Sequence, residues 1–142
     1  MVLSQNASFV GDPPPDPEYN HPPGAALARE LQMALRHRGI EVTEIENWRD
    51  AGWVISSRQG QRVIDIVFAQ DAPSEWMLQI APIEEPGFFD TLFKRGPDYA
   101  VDLFHLAQAV AEILPELGYS RMRWRTNGKP RDGDPSSPTI GV

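Results

Sequence analysis

Gly52-Trp53-Val54-Ile55-Ser56-Ser57-Arg58-Gln59-Gly60-Gln61-Arg62-Val63-Ile64-Asp65-Ile66-Val67-Phe68-Ala69 is the stretch that decides the fold. Two runs rich in β-branched and aromatic residues flank the turn Arg58-Gln59-Gly60-Gln61. That composition suits a pleated, half-buried surface. Asp71-Ala72-Pro73-Ser74 makes a second turn, and Glu75–Ala81 then places Trp76, Leu78 and Ile80 on one face. Short turns between successive strands predict an antiparallel meander of Gly52–Ser57, Arg62–Ala69 and Glu75–Ala81.

Upstream, Leu27, Leu31, Ala34 and Leu35 recur at helical spacing, which predicts a helix over Ala25–Arg38. Gly39 supplies its left-handed stop, with Ile40 folding back on the last turn. A further strand is expected over about Ile40–Glu46, alternating at Ile40 and Val42 and losing register at Ile45. Downstream, Asp98 is a candidate cap for a helix from Tyr99 to about Leu117, whose last turn Pro115 should distort. Arg121-Met122-Arg123-Trp124-Arg125 alternates strictly, so a last strand there would bury Met122 and Trp124 and expose three arginines. The expected fold is α+β in the order α-β-β-β-β-α-β, two helices packed on one face of a mostly antiparallel sheet. The last strand's neighbour, the first strand or the fourth, stays open.

Six of the 14 prolines fall between Pro13 and Pro23, which predicts an extended Pro-rich N-terminal arm over residues 1–23. A single domain is expected over 24–126, followed by a turn-rich tail over 127–142. The 142 residues carry 13 basic and 20 acidic side chains, a net charge of −7. An acidic chain argues against duplex nucleic acid and anionic lipid, since both need a positive surface. The absence of cysteine excludes a disulfide framework, a thiol nucleophile and thiolate metal ligation, and fits a reducing, cytoplasmic setting. No apolar run long enough for a membrane span and no secretory signal are visible.

No phosphate loop, dinucleotide fingerprint or nucleophile elbow occurs, and His21, His37 and His105 share no metal-ligand spacing. Neither a cofactor nor a metal is expected. Asp65 interrupts an otherwise apolar strand. With Glu84, Glu85 and His105 it forms the candidate set for a small-molecule, hydrolase-like enzyme sited beside the 82–97 loop. The ordinary reading of Asp65 is a solvated strand face or a cross-strand partner. The candidate binding residues are Trp48, at a turn beside Arg49 and Asp50, and Phe88 and Phe89 in the apolar loop. Arg121, Arg123 and Arg125 complete that set. Three arginines without a lysine-rich run suit an acidic segment of a protein partner better than duplex DNA. Structurally, they would pair with Glu41, Glu44 or Glu46.

Four runs together carry a family resemblance: Gly24-Ala25-Ala26-Leu27-Ala28-Arg29-Glu30-Leu31, Arg38-Gly39-Ile40-Glu41-Val42, the Trp48 and Trp53 pair, and Glu75-Trp76 with Leu78. Across residues 24–81 the chain resembles small uncharacterised bacterial α+β proteins, and in general shape it is similar to small acidic proteins that act as immunity partners of secreted toxins. Ala51 and the Pro-rich arm depart from that pattern, and it transfers no catalytic residue. The expected function is a noncatalytic protein-binding or accessory protein of the bacterial cytoplasm, with the resemblance implying a toxin-neutralising immunity protein. An acidic secretion-type chaperone is a further alternative, though it would carry a third helix after its last strands.

Overall fold

The computed structural model of the protein describes residues 4–15, 22–59, 62–82, 97–126 and 128–139. Its elements are β1 (Gln5–Val10), α1 (Ala25–His37), β2 (Glu46–Trp48), β3 (Gly52–Gln59), β4 (Arg62–Ala72), β5 (Glu75–Pro82), α2 (Pro97–Glu116) and β6 (Ser120–Thr126). The strands form one six-stranded antiparallel sheet in the order β2-β3-β4-β5-β1-β6. The meander is central, as its β-branched runs and short turns require. The α+β arrangement, with two helices over one side of the sheet, stands as the sequence implies.

Helix α1 buries Leu27, Leu31 and Leu35 on its apolar stripe. It ends as Gly39 predicts: φ is 81° there, and the Ile40 amide donates back to the Leu35 carbonyl at 3.0 Å. Helix α2 ends the same way, with Gly118 at φ 98° and the Tyr119 amide donating to the Leu114 carbonyl. Both helices pack against Phe9, Ile55, Ile66, Phe68, Trp76, Leu78, Ile80 and Trp124, which close the core.

Two differences from the sequence reading have physical causes. Gln5–Val10, inside the stretch read as an arm, is a strand between β5 and β6. Ala7 and Phe9 face the core, while Asn6 and Ser8 lie on the other face. Val42 makes only an isolated bridge to Ser57, and the regular strand expected at Ile40–Glu46 begins at Glu46. Residues 41–43 instead follow β3 through single bonds, from the Thr43 amide to the Ser56 carbonyl and from the Arg58 amide to the Glu41 carbonyl. The last strand's place is also settled: β6 is an edge, paired with β1 and not with the first or fourth expected strand.

The two ends of the chain are docked where they are described. Pro22 accepts a hydrogen bond from Trp53 Nε1 at 3.1 Å, and Gly11 accepts one from Trp76 Nε1 at 2.9 Å. Residues 128–139 lie along β6, where the Trp124 amide donates to the Pro135 carbonyl at 2.8 Å.

Candidate functional site

Strand alternation puts the core residues on one side of the sheet and a second set on the side away from the helices. Register arranges that second face in rows. One row runs Glu46, Val54, Val67, Gln79, Asn6, Arg125, and the next runs Trp48, Gly52, Ala69, Met77, Ser8, Arg123. Ser56, Asp65 and Ala81 form a third. Gly52, Ala69 and Ser8 are the small residues of the second row, between an aromatic edge and a cationic edge. Five strand spacings separate those edges, about 24 Å.

Trp48 is half-buried at the aromatic edge, with the Arg49 guanidinium 5.3 Å from its ring centroid. A depression of about 160 Å³ lies between Trp48, Val67, Ala69, Met77 and Gln79. A larger cleft of about 350 Å³ opens towards the cationic edge, lined by Asp71, Met77, Arg121, Arg123, Lys129 and Asp132. Two β-bulges build it. Asp71 is the extra residue where β4 shifts register against β5, and Arg121 with Met122 opposes Phe9 where β6 shifts against β1. Bulges re-aim side chains in this way. Arg121 takes φ 54°, a left-handed conformation in which glycine is the common residue.

The arginines do not pair with Glu41, Glu44 or Glu46. Sheet order places Glu46 on the opposite edge, and Glu44 pairs with Arg36 at 3.5 Å. Arg123 is bound instead by Asp132, and Arg125 by Asp134 at 3.6 Å. Lys129 reaches Asp71 at 3.7 Å. The tail thus delivers two acids, spaced two residues apart, to two arginines with the same spacing. That matched spacing is the sequence signal that points to these partners.

Asp65 shares the open face and accepts a hydrogen bond from Ser56 Oγ at 2.6 Å. Burial pushes its carboxyl above the ordinary value; the Ser56 bond opposes this and the negative charge of Glu46 adds to it. His105 is exposed on α2, across the sheet from Asp65. The structure therefore brings Trp48, Asp65, Arg121, Arg123 and Arg125 onto one face and does not bring His105 to them. Phe88, Phe89, Glu84 and Glu85, with most of the 82–97 loop, lie outside the described residues.

Among the described residues no group of three or more His, Asp or Glu side chains is placed to hold a metal ion. No described helix is long and apolar enough to cross a membrane. In comparisons with known proteins the chain matches no family model and no curated protein.

Proposed function

We propose that the protein is a noncatalytic binding or accessory protein that engages another protein through the open face of its sheet. One observation carries this reading: a single sheet face, free of the described helices, joins a half-buried tryptophan, two depressions and an arginine edge. Interfaces gain most from aromatic and arginine anchors seated in such depressions. The finer reading, an immunity protein for a toxin in a bacterial cytoplasm, rests on a likeness in general shape to small acidic immunity proteins.

A photo-crosslinking amino acid tests the surface. Placed at Met77 on the open face it should capture a discrete partner in the native cell, and placed at His105 it should not. Trp48→Ala should weaken that capture by about tenfold, as expected for an interface anchor. Equal capture from both positions, or capture indifferent to Trp48, overturns the surface. For the finer reading, a neighbouring toxin-like gene is expressed with the chain. Growth should be restored by wild type and less so by Trp48→Ala; growth unaffected by the chain removes the immunity function.

A further inference from the structure

Residues 128–139 are an unusual occupant of the β6 edge. They start on the open face, where Lys129 reaches Asp71 and Asp132 reaches Arg123. They then cross the strand edge at Pro135 and end at Thr139, whose carbonyl accepts from Gln5 Nε2 at 2.6 Å. Gln5 belongs to the core side of β1, so this segment wraps the edge from one face of the sheet to the other.

Three observations show that this occupant satisfies the edge incompletely. First, Gln5 and Trp124 are 2% and 1% exposed, and both are hydrogen-bonded to the tail by one group. Yet Gln5 Oε1 and Trp124 Nε1 have no hydrogen-bond partner among the described residues. The first needs a donor and the second an acceptor, which are the two groups every peptide unit other than proline presents. The tail has prolines at 130, 135 and 138, and each removes a donor. Second, the tail neutralises Arg123 and Arg125 but not Arg121, which has no ion-pair partner among the described residues. Arg121 lines the cleft from a left-handed backbone position that a glycine would hold with less strain. Third, beside two hydrogen bonds and the buried Pro130 and Pro138, the tail's charged contacts are partly exposed ion pairs, which are individually weak and screened by salt.

We propose that residues 128–139 are an intramolecular placeholder, and that the β6 edge with its arginines receives an extended acidic segment of the partner. The incoming segment adds to β6 as a strand. Its carboxylates replace Asp132 and Asp134 on Arg123 and Arg125, and a third takes Arg121 in the cleft. Its main chain pairs with the β6 edge without losing the donors that prolines at 130, 135 and 138 remove from the tail. This inference rests on the protein-binding reading and names the partner chemistry for its cationic edge.

The probe is a fluorescent octapeptide of alternating aspartate and valine, titrated into the full chain at low ionic strength. Asp132→Asn with Asp134→Asn loosens the tail, which otherwise competes at millimolar effective concentration. The double variant should therefore bind the probe about tenfold more tightly than wild type. Adding Arg121→Gly, which suits the backbone there, should lower affinity about threefold without lowering the melting temperature. Adding Arg123→Gln and Arg125→Gln should abolish binding, and an alternating serine–valine peptide should not bind at all. In wild type, excess probe should move the amide NMR signals of residues 128–139 towards those of a free chain.

Equal affinity in wild type and the loosened variant overturns the placeholder. So does binding that survives loss of the arginines, or no binding at millimolar probe. A single-stranded oligonucleotide binding as well as the acidic peptide would reassign the edge to nucleic acid and overturn the peptide. If crosslinking captures a partner through Trp48 while the probe fails, the protein-binding reading stands and this one falls.

Discussion

At Asp65 a carboxyl sits on the open face between Ser56 and Ala81, where burial raises its proton affinity above that of the unfolded chain. A carboxyl raised in this way favours folding below its unfolded pKa, and the benefit is lost as pH rises through the folded value. At neutral pH the ionised group therefore costs stability. Asp65→Asn keeps an acceptor for Ser56 Oγ and removes the charge. The variant should withstand more urea than wild type at about pH 7, and the advantage should vanish near pH 3. Urea midpoints at the two pH values check this; a gain of equal size at both would trace to packing instead. Gly52, four residues after Trp48, shows a different constraint. A Cβ there would stand 2.1 Å from the Phe68 carbonyl oxygen, so the glycine admits the backbone of β4.

Among the elements, what could be read from sequence followed from how much each one carries in its own residues. Helix α1 announces itself through Leu27, Leu31 and Leu35 and through Gly39, and β4 through Val63, Ile64, Ile66, Val67 and Phe68. Strand β1 does not. Gln5-Asn6-Ala7-Ser8-Phe9-Val10 offers one large core side chain in its first five positions, and its strand state is imposed by β5 and β6 on either side. The same limit hid the pairing of the arginine edge. Arg121, Arg123 and Arg125 were visible as an alternating set, but the acids that meet Arg123 and Arg125 belong to a tail whose docking depends on where β6 lies. The β2–β3 turn was legible as a turn without its type. Arg49 and Asp50 both take positive φ, 52° and 56°, and the Ala51 amide closes on the Trp48 carbonyl at 2.9 Å. This is the type I′ geometry that Asn-Gly favours. Replacing Arg49 by Asn and Asp50 by Gly should stabilise the protein by about 1 kcal/mol. Thermal unfolding checks it, and a lowered midpoint would mean that the Arg49 contact with Trp48 outweighs the backbone relief.

For the molecule as a whole, the consequence of β1 is closure. Gln5 pairs with Ile80 on one side and Thr126 on the other, so one short strand joins the meander to the last strand. Removing it would leave β5 and β6 about 10 Å apart, two strand spacings, with unpaired main-chain groups facing each other across the gap. Phe9, which meets Tyr119 edge-on at 5.4 Å, would leave the core, and Trp76 would lose its Gly11 acceptor if the cut extended that far. A dispensable arm would predict almost no change on deletion. A central strand predicts collapse, because burying such unpaired groups costs more than a small domain's net stability can absorb. Deleting Met1–Val10 should therefore abolish the cooperative urea transition and the near-ultraviolet circular dichroism contributed by buried Trp76 and Trp124. A synthetic peptide covering residues 4–12, added in excess to the shortened chain, should restore both. Unfolding of the shortened chain at the wild-type urea midpoint would show that the sheet closes without β1. Restoration by a scrambled peptide would show that mass action on hydrophobic surface, and not strand pairing in register, accounts for the rescue.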